Sequence, residues 1–432
     1  MRERIVRLGY SLLLCFYLPI ALFNMWRQGS QNPDYRSRWR ERFGFVKKRK
    51  ARAKAPSGRP FLVHCASVGE FLAAKPLLHK LVAGETPVWI TCTTPTASKM
   101  IQESFGEAVY HTYLPTDLLS SMKRFLDSVD PAVVVLMETE VWPNLVLSAE
   151  RRRVPVALIN ARLSEKSFRG YQKLSFFLLP TWQRIALCAV QNERYGSRFE
   201  TLGVQLNRIQ VLGNLKFDIS IPSGLATDIE ETKSLLSHRQ LITAGSTHEG
   251  EEALLLSAYK KLSRVRKQAL LVIAPRHQER FAEVEKLIEA KGFRYVKRST
   301  GRPIVDTTQV LLVDTMGELL LWYGAAEIAF VGGSLIPRGG HNPIEPMTFG
   351  IPIISGRHVF NFEEVYQQLD KQQAVRWVSD EASLHDTLLG LLTTTETAQR
   401  IGVQAKSLFA LHRGATARTL AALHQCAAGR GA

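Results

Sequence analysis

The segment FLVHCASVGE, residues 61–70, decides the fold class of this chain. It joins a short apolar run of strand-forming residues to a small-residue turn, and an amphipathic stretch follows. Runs of this kind recur, and most are separated by enough residues for a crossover helix, which predicts parallel βαβ units in sheets covered on both faces. The predicted strands are 61–67, 88–94, 109–115, 132–137, 154–159, 187–191, 209–212, 241–244, 269–274, 293–297, 310–313, 328–331, 351–354 and 374–378.

A polar stretch at 220–239 interrupts this alternation and divides the strands into two sets of seven. The simplest architecture is therefore an α/β fold with two Rossmann-like domains facing a central cleft. We expect an N-terminal domain over 61–219, a linker over 220–239 and a C-terminal domain over 240–395. The Ala- and Leu-rich tail at 396–432 predicts helix packed back on the body.

The composition is that of a globular chain. Of the 432 residues 22% are charged and 45% are hydrophobic, which excludes disorder, collagen and a coiled coil. The five cysteines form no C-x-x-C pair and no disulfide framework. Three of them lie in predicted strands, so we expect buried, reduced thiols and a cytosolic body.

The formal net charge of +17 is concentrated at one end of the chain. Residues 1–60 hold fifteen Lys and Arg against three acids, a net +12, which leaves +5 for the other 372 residues. A non-enzymatic adaptor or nucleic-acid binder would spread basic residues and aromatics over the body. The charge distribution therefore argues against a nucleic-acid partner.

The same end holds an uncharged apolar segment, 8–26, whose nineteen residues are just long enough to cross a hydrocarbon core. No small-residue cleavage site follows it, so we expect a retained membrane anchor over 1–30 and a basic juxtamembrane segment over 31–60. Residues 27–54 hold eleven Lys and Arg against three in 1–7, which places the body in the cytoplasm. A helix lying in the interface, or one buried in the N-terminal domain, remains an alternative.

In doubly wound sheets, ligands bind outside the carboxyl ends of the strands, near the point where the strand order reverses. Glu70 follows the first predicted strand at the start of a helix. A helix N-terminus stabilises an anionic carboxylate, so Glu70 is expected to be ionised at pH 7 and to serve as a general base. The alternative is an ordinary first-turn glutamate that caps its helix.

Glu138 and Glu140 end a strongly apolar run in the same half of the chain. Burying a carboxylate at the end of such a strand costs free energy unless the group is paired or hydrogen-bonded. Lys216 is a candidate partner. Both glutamates lie on the same side of an extended strand, so periodicity leaves open which one lines the cleft. A structural ion pair without a catalytic role is the alternative.

The glycine-rich stretch 332–346 is the most informative of the second half. Its glycines allow close backbone approach to a ligand, and Asn342 and Pro343 resemble the N-cap and first residue of a helix. Free N–H groups there would bind a phosphate, while Glu345 could accept hydrogen bonds from ribose hydroxyls. A sugar nucleotide meets both demands, and a glycine-rich turn without a ligand is the alternative.

Other motifs restrict the classes of reaction that the chain could catalyse. Arg276, after the strand that ends at Ala274, offers a fixed cation to a phosphate, and 314–318 forms another loop that enters a helix. The sequence has no Asp-x-Asp and no Cys/His cluster with zinc spacing, so no metal and no cofactor are expected. It also lacks G-x-x-x-x-G-K-[ST], and no G-x-G-x-x-G follows the first strand, which argues against an ATPase or a dinucleotide oxidoreductase.

Taken together, these residues resemble the bacterial 3-deoxy-D-manno-octulosonic acid (Kdo) transferases, inverting enzymes of the glycosyltransferase type B fold. The resemblance covers nearly the whole chain, and many short motifs occur in order. They are ASVGE at 66–70, METE at 137–140 with WPN at 142–144, NARLS at 160–164, GNLKFD at 213–218, STHEGEE at 246–252, DTMGE at 314–318, and GGHNP at 339–343 with Glu345.

The resemblance implies transfer of Kdo from CMP-Kdo to a lipid A precursor at the cytoplasmic face of the bacterial inner membrane. By the same resemblance, Glu70 is the general base, and Glu138 and Lys216 stabilise the transition state. The residues implied to bind CMP are Pro275, Arg276, Met316, Gly317, Glu318, Asn342, Pro343, Ile344 and Glu345. A rival within the fold would use a UDP-sugar donor or epimerise a free sugar nucleotide.

Overall fold

The computed structural model describes residues 2–30, 32–47, 58–219 and 221–429. The chain forms two compact units: Met1–Asp218 with His412–Ala432 is unit 1, and Ile219–Leu411 is unit 2. Part of the predicted basic segment, 48–57, lies outside the described residues, as do Met1, Gln31, Ser220 and the last three residues.

Each unit contains a seven-stranded sheet in which every paired strand is parallel. All fourteen predicted strands are confirmed, with small differences at their ends. The strands of unit 1 are β1 Phe61–His64, β2 Val88–Cys92, β3 Tyr110–Tyr113, β4 Val133–Met137, β5 Val156–Ala161, β6 Leu187–Val190 and β7 Ile209–Val211. Those of unit 2 are β8 Gln240–Thr247, β9 Ala269–Pro275, β10 Tyr295–Lys297, β11 Val310–Leu312, β12 Ile328–Val331, β13 Ile353–Ser355 and β14 Val375–Trp377.

The α-helices of unit 1 precede, connect and follow its strands. They are α1 Arg2–Gln28, α2 Trp39–Arg42, α3 Val68–Ala83, α4 Pro95–Phe105, α5 Leu119–Val129, α6 Pro143–Glu150, α7 Glu165–Lys173, α8 Ser175–Trp182, α9 Glu193–Leu202 and, near the C-terminus, α18 Ala415–Ala428. The helices between α9 and α18 are α10 Leu225–Leu235, α11 Glu251–Val265, α12 Phe281–Ala290, α13 Leu319–Ala325, α14 Ile344–Phe349, α15 Glu363–Lys371, α16 Glu381–Thr393 and α17 Thr395–His412.

Burial on both faces explains why the strands are apolar throughout. The neighbouring residues Leu62 and Val63 of β1 are both fully buried, yet they belong to two different hydrophobic clusters. Side chains alternate across a strand, so these clusters lie on opposite faces of the sheet. The three cysteines expected in strand regions, Cys65, Cys92 and Cys188, are buried and free, as predicted.

The strand order places one reversal point in each sheet. Unit 1 has the order β3-β2-β1-β4-β5-β6-β7, so the order reverses between β1 and β4. Unit 2 has the order β10-β11-β9-β8-β12-β13-β14, so it reverses between β8 and β12. Ligands of doubly wound sheets bind outside the carboxyl ends of such strand pairs, which directs attention to the loops after these four strands.

The connections between the units contain more structure than the polarity of 220–239 indicates. α10 lies within that stretch and packs on α13, with Leu225 and Ile229 buried. The helical tail is divided between the two units. α17 belongs to unit 2 as far as Leu411, whereas α18 packs on α3 in unit 1. The Asp218 carboxylate accepts the backbone N–H of Gly414 at 2.7 Å, which ties the chain leaving unit 1 to the chain returning to it.

Part of the basic segment at 31–60 is built into unit 1. The guanidinium of Arg42 lies 3.9 Å from the ring centroid of Tyr113 and donates to the carbonyl of Thr93 at 2.8 Å. Arg38 donates to Ser98 at 2.9 Å. These two arginines of the basic segment therefore stack and hydrogen-bond within the fold of unit 1.

α1 is long and apolar enough to cross a membrane. Over Gly9–Gln28 its mean hydropathy is 1.4, and that window is not buried inside the protein. Near the start of this window, the Tyr10 hydroxyl donates to Asp117 at 3.0 Å and the Asn144 amide donates to the Ser11 hydroxyl at 3.3 Å. The alternative of a helix buried in the N-terminal domain is thus excluded for this window, although its first residues contact unit 1.

Candidate functional site

In unit 1, polar side chains collect at the carboxyl ends of the two strands that flank the reversal point. Glu70 lies in the first turn of α3, after β1, and Glu138 directly follows β4. Both are largely buried, with 9% of each residue exposed. The structure therefore brings together two of the three residues to which the resemblance assigns catalysis.

The backbone around Glu70 holds its carboxylate in place. Ala66 N–H donates to Oε2 at 2.8 Å, and the Ser67 hydroxyl lies 3.4 Å from Oε1. The Ser67 oxygen in turn accepts from the Glu70 N–H at 3.3 Å, which completes a reciprocal helix cap. The capping contacts that the sequence left as an alternative are present, and they orient the carboxylate.

Burial raises the pKa of Glu70 to about 8. The Ala66 N–H opposes this rise, whereas the Glu138 and Glu140 carboxylates add to it. The expectation that the helix N-terminus keeps Glu70 ionised at pH 7 is wrong, because removal from water outweighs the capping hydrogen bonds. A carboxyl group with such a pKa can take a proton near neutral pH and release it again.

Glu138 is held by two cations. Arg162 Nε donates to Oε2 at 2.7 Å, and Lys216 Nζ lies 3.9 Å from Oε1. Lys216 is thus confirmed as a partner, and Arg162, which follows β5, is one that the sequence reasoning did not identify. Burial lowers the pKa of Lys216, and the Glu138 carboxylate counteracts that effect.

The chain geometry separates Glu138 from Glu140. Glu138 has φ 55°, so the backbone leaves the extended conformation there, and the argument that both side chains share one side of a strand fails. Glu140 accepts a hydrogen bond from Trp142 Nε1 at 3.0 Å, and burial raises its pKa. Of the two, Glu138 therefore carries the ion pairs.

A short 3₁₀ turn, Leu215–Phe217, positions Lys216. The Asn214 side chain caps this turn through the Lys216 N–H at 3.0 Å. The buried Asn160, the last residue but one of β5, accepts from the Leu215 N–H at 3.0 Å and itself has φ 51°. Residues in sparsely populated backbone conformations cluster at functional sites, and here Glu138 and Asn160 end neighbouring strands.

In unit 2, the glycine-rich loop after β12 packs against protein. A Cβ at Gly332 would lie 2.3 Å from the backbone oxygen of Ser246, and one at Gly339 would lie 2.4 Å from the Phe360 ring. The expectation that these two glycines make room for a ligand is therefore wrong, because protein atoms fill the space. At Gly333, with φ 69°, the neighbour is the ring of His341.

The helix after this loop is short. Its first residue is Ile344 and its cap position is Pro343, one residue later than predicted. Asn342 Oδ1 nevertheless accepts from the Ile344 N–H at 3.1 Å, and its amide donates to Glu345 at 3.2 Å. α14 has six residues, so its dipole is small, and phosphate binding would depend on nearby side chains.

Arg276 and Glu345 influence each other electrostatically. Arg276 is exposed at the end of β9, directly after the buried Pro275. Burial raises the pKa of Glu345, whereas the Asn342 amide and the Arg276 guanidinium lower it. A cation and a hydrogen-bond acceptor thus lie in one neighbourhood, as the sugar-nucleotide prediction requires.

The third group of predicted nucleotide contacts follows β11. Gly317 has φ 88° and open space at its Cβ position, and Met316 is exposed. Glu318 caps α13 and accepts from Arg298 Nε at 2.8 Å. α13 packs on α14, so this loop and the residues at 342–345 lie at the starts of neighbouring helices. Among the described residues, no group of three or more His, Cys, Asp or Glu could hold a metal ion.

The sequence reasoning missed several residues that shape these sites. Arg162 pairs with Glu138, and Glu251 organises the loop after β12 by accepting from Gly333 N–H at 2.7 Å and Ser334 N–H at 2.9 Å. His248 and His341 form a hydrogen-bonded pair. Arg162 and His248 directly follow strands and Glu251 begins a helix, so the rule that ligands bind at strand ends pointed to these three, whereas His341 lies further along the loop after β12.

Known structures show the class of fold. The UDP-N-acetylglucosamine 2-epimerase of Neisseria meningitidis, solved with UDP-N-acetylglucosamine bound, is similar with a TM-score of 0.54 and 15% sequence identity, over 79% of this chain and 94% of that one. A putative UDP-N-acetylglucosamine 2-epimerase of Listeria monocytogenes has a TM-score of 0.52, with 14% identity over 85% of this chain and 96% of that one. The class is therefore that of two-domain proteins with the glycosyltransferase type B fold.

Sequence relatives define the family within that class. The family model described as 3-deoxy-D-manno-octulosonic-acid transferase matches residues 37–219. The curated 3-deoxy-D-manno-octulosonic acid transferase of Haemophilus influenzae is 38% identical over 95% of this chain and 96% of its own length. That of Bordetella pertussis is 34% identical over 95% and 96%. The chain belongs to the 3-deoxy-D-manno-octulosonic acid transferase family.

Proposed function

We propose that the protein transfers Kdo from CMP-Kdo to a lipid A precursor, lipid IVA, with inversion, as a step of lipopolysaccharide inner-core biosynthesis. The observation that carries this proposal is the group at the carboxyl ends of β1 and β4. There a buried carboxyl group with a pKa raised to about 8, Glu70, lies in the field of the Glu138 carboxylate, which is paired with Arg162 and Lys216. Family membership supplies the substrate class.

Glu70 acts as the general base. It takes the proton of the acceptor hydroxyl as the oxygen attacks the anomeric carbon of Kdo from the face opposite the departing phosphate. An inverting transfer needs one such base and no covalent sugar intermediate. The raised pKa makes Glu70 a stronger base than an exposed glutamate once it is ionised, and Ala66 and Ser67 fix its direction.

Glu138 and Lys216 stabilise charge in the transition state. The anomeric carbon becomes positively charged as the bond to phosphate breaks, while the donor itself is an anionic sugar. A largely buried, preorganised ion pair stabilises both charges, and no free energy is lost in reorienting water around them. Because Arg162 also holds Glu138, the lysine is not needed to neutralise the carboxylate alone and can face the substrate.

Unit 2 binds the CMP part of the donor. Arg276 would meet the phosphate, and Glu345 would accept the ribose hydroxyl groups. The remaining predicted contacts come from two loops that enter helices. They are Met316, Gly317 and Glu318 before α13, and Asn342, Pro343 and Ile344 at the start of α14; Pro275, at the end of β9, is the last of the predicted contacts.

Membrane association is supported by the surface of α1. Its exposed large side chains, spaced three or four residues apart, form one stripe along the helix. They are Leu12, Phe16, Ile20, Phe23 and Trp26. On the opposite side of the helix, Tyr10 bonds to Asp117. Near the C-terminal end, the backbone oxygen of Trp26 accepts from Arg36 at 3.1 Å. We propose that α1 lies in the membrane interface on the cytoplasmic face, with its apolar stripe in the lipid.

A second apolar surface extends this stripe. α8 packs against α1 and exposes Phe176 and Phe177. Two aromatic side chains beside an apolar helix are typical of a surface that inserts at the level of the headgroups. The phosphorylated lipid acceptor would then reach the enzyme from the plane of the membrane.

The donor is tested by comparing CMP with UDP in a calorimetric binding assay on the full-length protein. We expect CMP to bind at least about tenfold more tightly than UDP. Tighter binding of UDP would contradict the proposed donor and favour the enzymes of this fold that use UDP-sugars. The Arg276→Gln variant serves as a control, because it should weaken CMP binding without weakening the binding of cytidine.

A further inference from the structure

Two histidines lie within hydrogen-bonding distance of each other at the reversal point of unit 2. His248 follows β8, and His341 ends the loop after β12. Their Nε2 atoms lie 2.7 Å apart, and the ring planes differ by 8° with centroids separated by 5.0 Å. Gly333 leaves room for both rings, since a Cβ there would lie 2.9 Å from Cδ2 of His341 and 3.5 Å from Cδ2 of His248.

The short distance between the Nε2 atoms limits the charge that the pair can carry. Two unprotonated nitrogens at 2.7 Å would repel each other through their lone pairs, so one proton lies between them. Two imidazolium rings at that distance would also repel strongly. The pair is therefore either neutral or singly charged, and the gain of one proton switches it between these states.

Positive groups surround the pair from several elements. They are Arg276 after β9, which acts on both histidines, and Arg280 before α12 and Arg338 in the loop after β12, which act on His248; the ring of His277 also lies near the pair. The carboxylate of Glu251, at the start of α11, accepts the backbone N–H of His248 at 3.0 Å and also binds the loop after β12. Burial, together with these cations, lowers the pKa of each histidine to about 4, so the pair is neutral at pH 7.

The position of the pair is the one where a doubly wound sheet binds the phosphate of a nucleotide. β8 and β12 are the two strands between which the strand order of unit 2 reverses, and each histidine follows the carboxyl end of one of them. Arg276, from the neighbouring β9, adds a cation at the same edge. An anion bound here would offset the surrounding positive charge and favour the charged form of the pair.

We propose that the His248–His341 pair binds the phosphate of the donor and takes up one proton when it does so. This inference rests on the proposed function, because it requires that unit 2 binds CMP. It adds two phosphate contacts that the resemblance to the family did not supply. It also gives the site a charge that appears only when the nucleotide is bound.

The charge balance shows how the pair assists the reaction. When the bond between the anomeric carbon and the phosphate oxygen breaks, both electrons remain on that oxygen, and the phosphate gains one negative charge. The acceptor oxygen forms the new bond to carbon, and Glu70 receives the acceptor proton. The proton taken up earlier stays on the histidine pair, where it stabilises the phosphate dianion, and returns to solvent when CMP leaves.

Proton uptake is measured by titrating the full-length protein with CMP in two buffers of different ionisation enthalpy, PIPES and Tris, at pH 7.5. The expected uptake is roughly one proton per CMP bound. Cytidine, which lacks the phosphate, should cause no uptake. Ordinary binding of a phosphate beside arginines would leave the number of bound protons almost unchanged, because the CMP phosphate is already nearly fully ionised at pH 7.5, so a clear uptake separates the two cases.

The His341→Gln and His248→Gln variants can still donate or accept hydrogen bonds but cannot become charged. Each should abolish the proton uptake and weaken CMP binding by about tenfold, the loss expected for one charge-assisted hydrogen bond. His238→Gln is the matched control, because that side chain pairs with Asp306 on the surface and should leave both quantities unchanged. Thermal unfolding of each variant shows whether its fold is retained.

Three results would overturn the proposal. If wild-type protein binds CMP without proton uptake, the histidine pair does not become charged, although the proposed donor stands. If the uptake persists in both variants, another group takes the proton. If CMP does not bind at all, the proposed function fails and this inference fails with it.

Discussion

At the scale of single residues, opposing effects set the protonation of Glu70. The Ala66 N–H and the Ser67 hydroxyl favour the ionised carboxylate, whereas burial and the carboxylates of Glu138 and Glu140 favour the protonated form. Burial dominates and brings the pKa to about 8. Glu70 is thus adjusted by its neighbours to exchange a proton near neutral pH.

This raised pKa has a consequence for stability. The folded state binds more protons at Glu70 than the unfolded state does between about pH 4.5 and 8, so this group makes folding less favourable as the pH rises through that range. Glu70→Gln removes the effect. We expect its melting temperature to match wild type at pH 4.5 and to exceed it by roughly 5 °C at pH 8.5.

The control for this prediction is Glu193→Gln, which changes an exposed first-turn glutamate of α9. Its melting temperature relative to wild type should not depend on pH in this way. A Glu70→Gln protein that loses stability relative to wild type as the pH rises would show that Glu70 is ionised at neutral pH, in disagreement with its environment in the structure.

Glu140 gives a second test at this scale. Its carboxylate helps to raise the pKa of Glu70, so Glu140→Gln should lower that pKa. In wild type, kcat/KM should rise with pH up to a limb near 8, and in the variant this limb should move to lower pH by about half a unit or more. Glu107→Gln, on an exposed turn, should leave the profile unchanged. An identical profile for Glu140→Gln would show that this limb does not report Glu70.

At the scale of elements, parallel strands could be predicted well because each one is buried on both faces. A hydrophobic run such as 133–137 therefore predicts a strand even when the neighbouring strands are unknown. The ends of these strands could be predicted less well. Glu138 and Asn160 turn into the left-handed region, and no pattern in the sequence marks where a non-glycine residue does so.

The candidate site, like the strand ends, could be predicted only in part from the sequence. Glu70, Glu138 and Lys216 could be found from strand ends and motifs, but Arg162 was not assigned to Glu138, because the sequence does not show which of the cations that follow other strands reach this carboxylate. The glycines after β12 suggested space for a ligand, whereas Gly332 and Gly339 make room for Ser246 and Phe360. A glycine in a sequence indicates that its backbone lies close to other atoms, but the sequence does not show which atoms these are.

Glu251 joins two functional loops of unit 2. Its buried carboxylate accepts backbone N–H groups from His248, Gly333, Ser334 and Leu335, at 2.7 to 3.0 Å. Glu251→Gln would replace one accepting oxygen by an amide that faces N–H donors. We expect a melting temperature lower by roughly 5 °C and CMP binding weaker by about tenfold.

Glu249→Gln is the matched control for Glu251→Gln, since Glu249 lies two residues earlier and is exposed. It should change neither quantity. If Glu251→Gln retained wild-type stability and CMP affinity, the carboxylate would not be the group that holds these loops together.

At the scale of the whole molecule, we propose two uses for the basic charge of the N-terminal end. Arg38 and Arg42 fasten the segment after α1 to unit 1 by stacking and hydrogen bonds. Arg40 is more accessible and remains available to anionic lipid headgroups. The apolar stripe of α1 and the two phenylalanines of α8 provide the hydrophobic part of the same surface.

Deletion of residues 1–28 should reduce sedimentation with vesicles of phosphatidylethanolamine and phosphatidylglycerol by at least about tenfold, because it removes the whole apolar stripe of α1. The residual binding should disappear when Phe176→Ser and Phe177→Ser are added. Val403→Ser, which changes an exposed valine of α17, is the control and should have no effect. Unchanged sedimentation of the deleted protein would show that α1 does not attach it to the membrane.

The central claim is that a single buried base, Glu70, drives transfer of Kdo to a lipid A precursor. The most direct test incubates the purified protein with CMP-Kdo and a tetraacylated lipid A precursor and analyses the lipid by mass spectrometry. Wild type should convert the lipid to a product heavier by a Kdo unit, and Glu70→Gln, while still binding CMP, should be slower by about 100-fold or more. A lipid of unchanged mass with the wild-type protein, or substantial transfer by Glu70→Gln, would contradict the account.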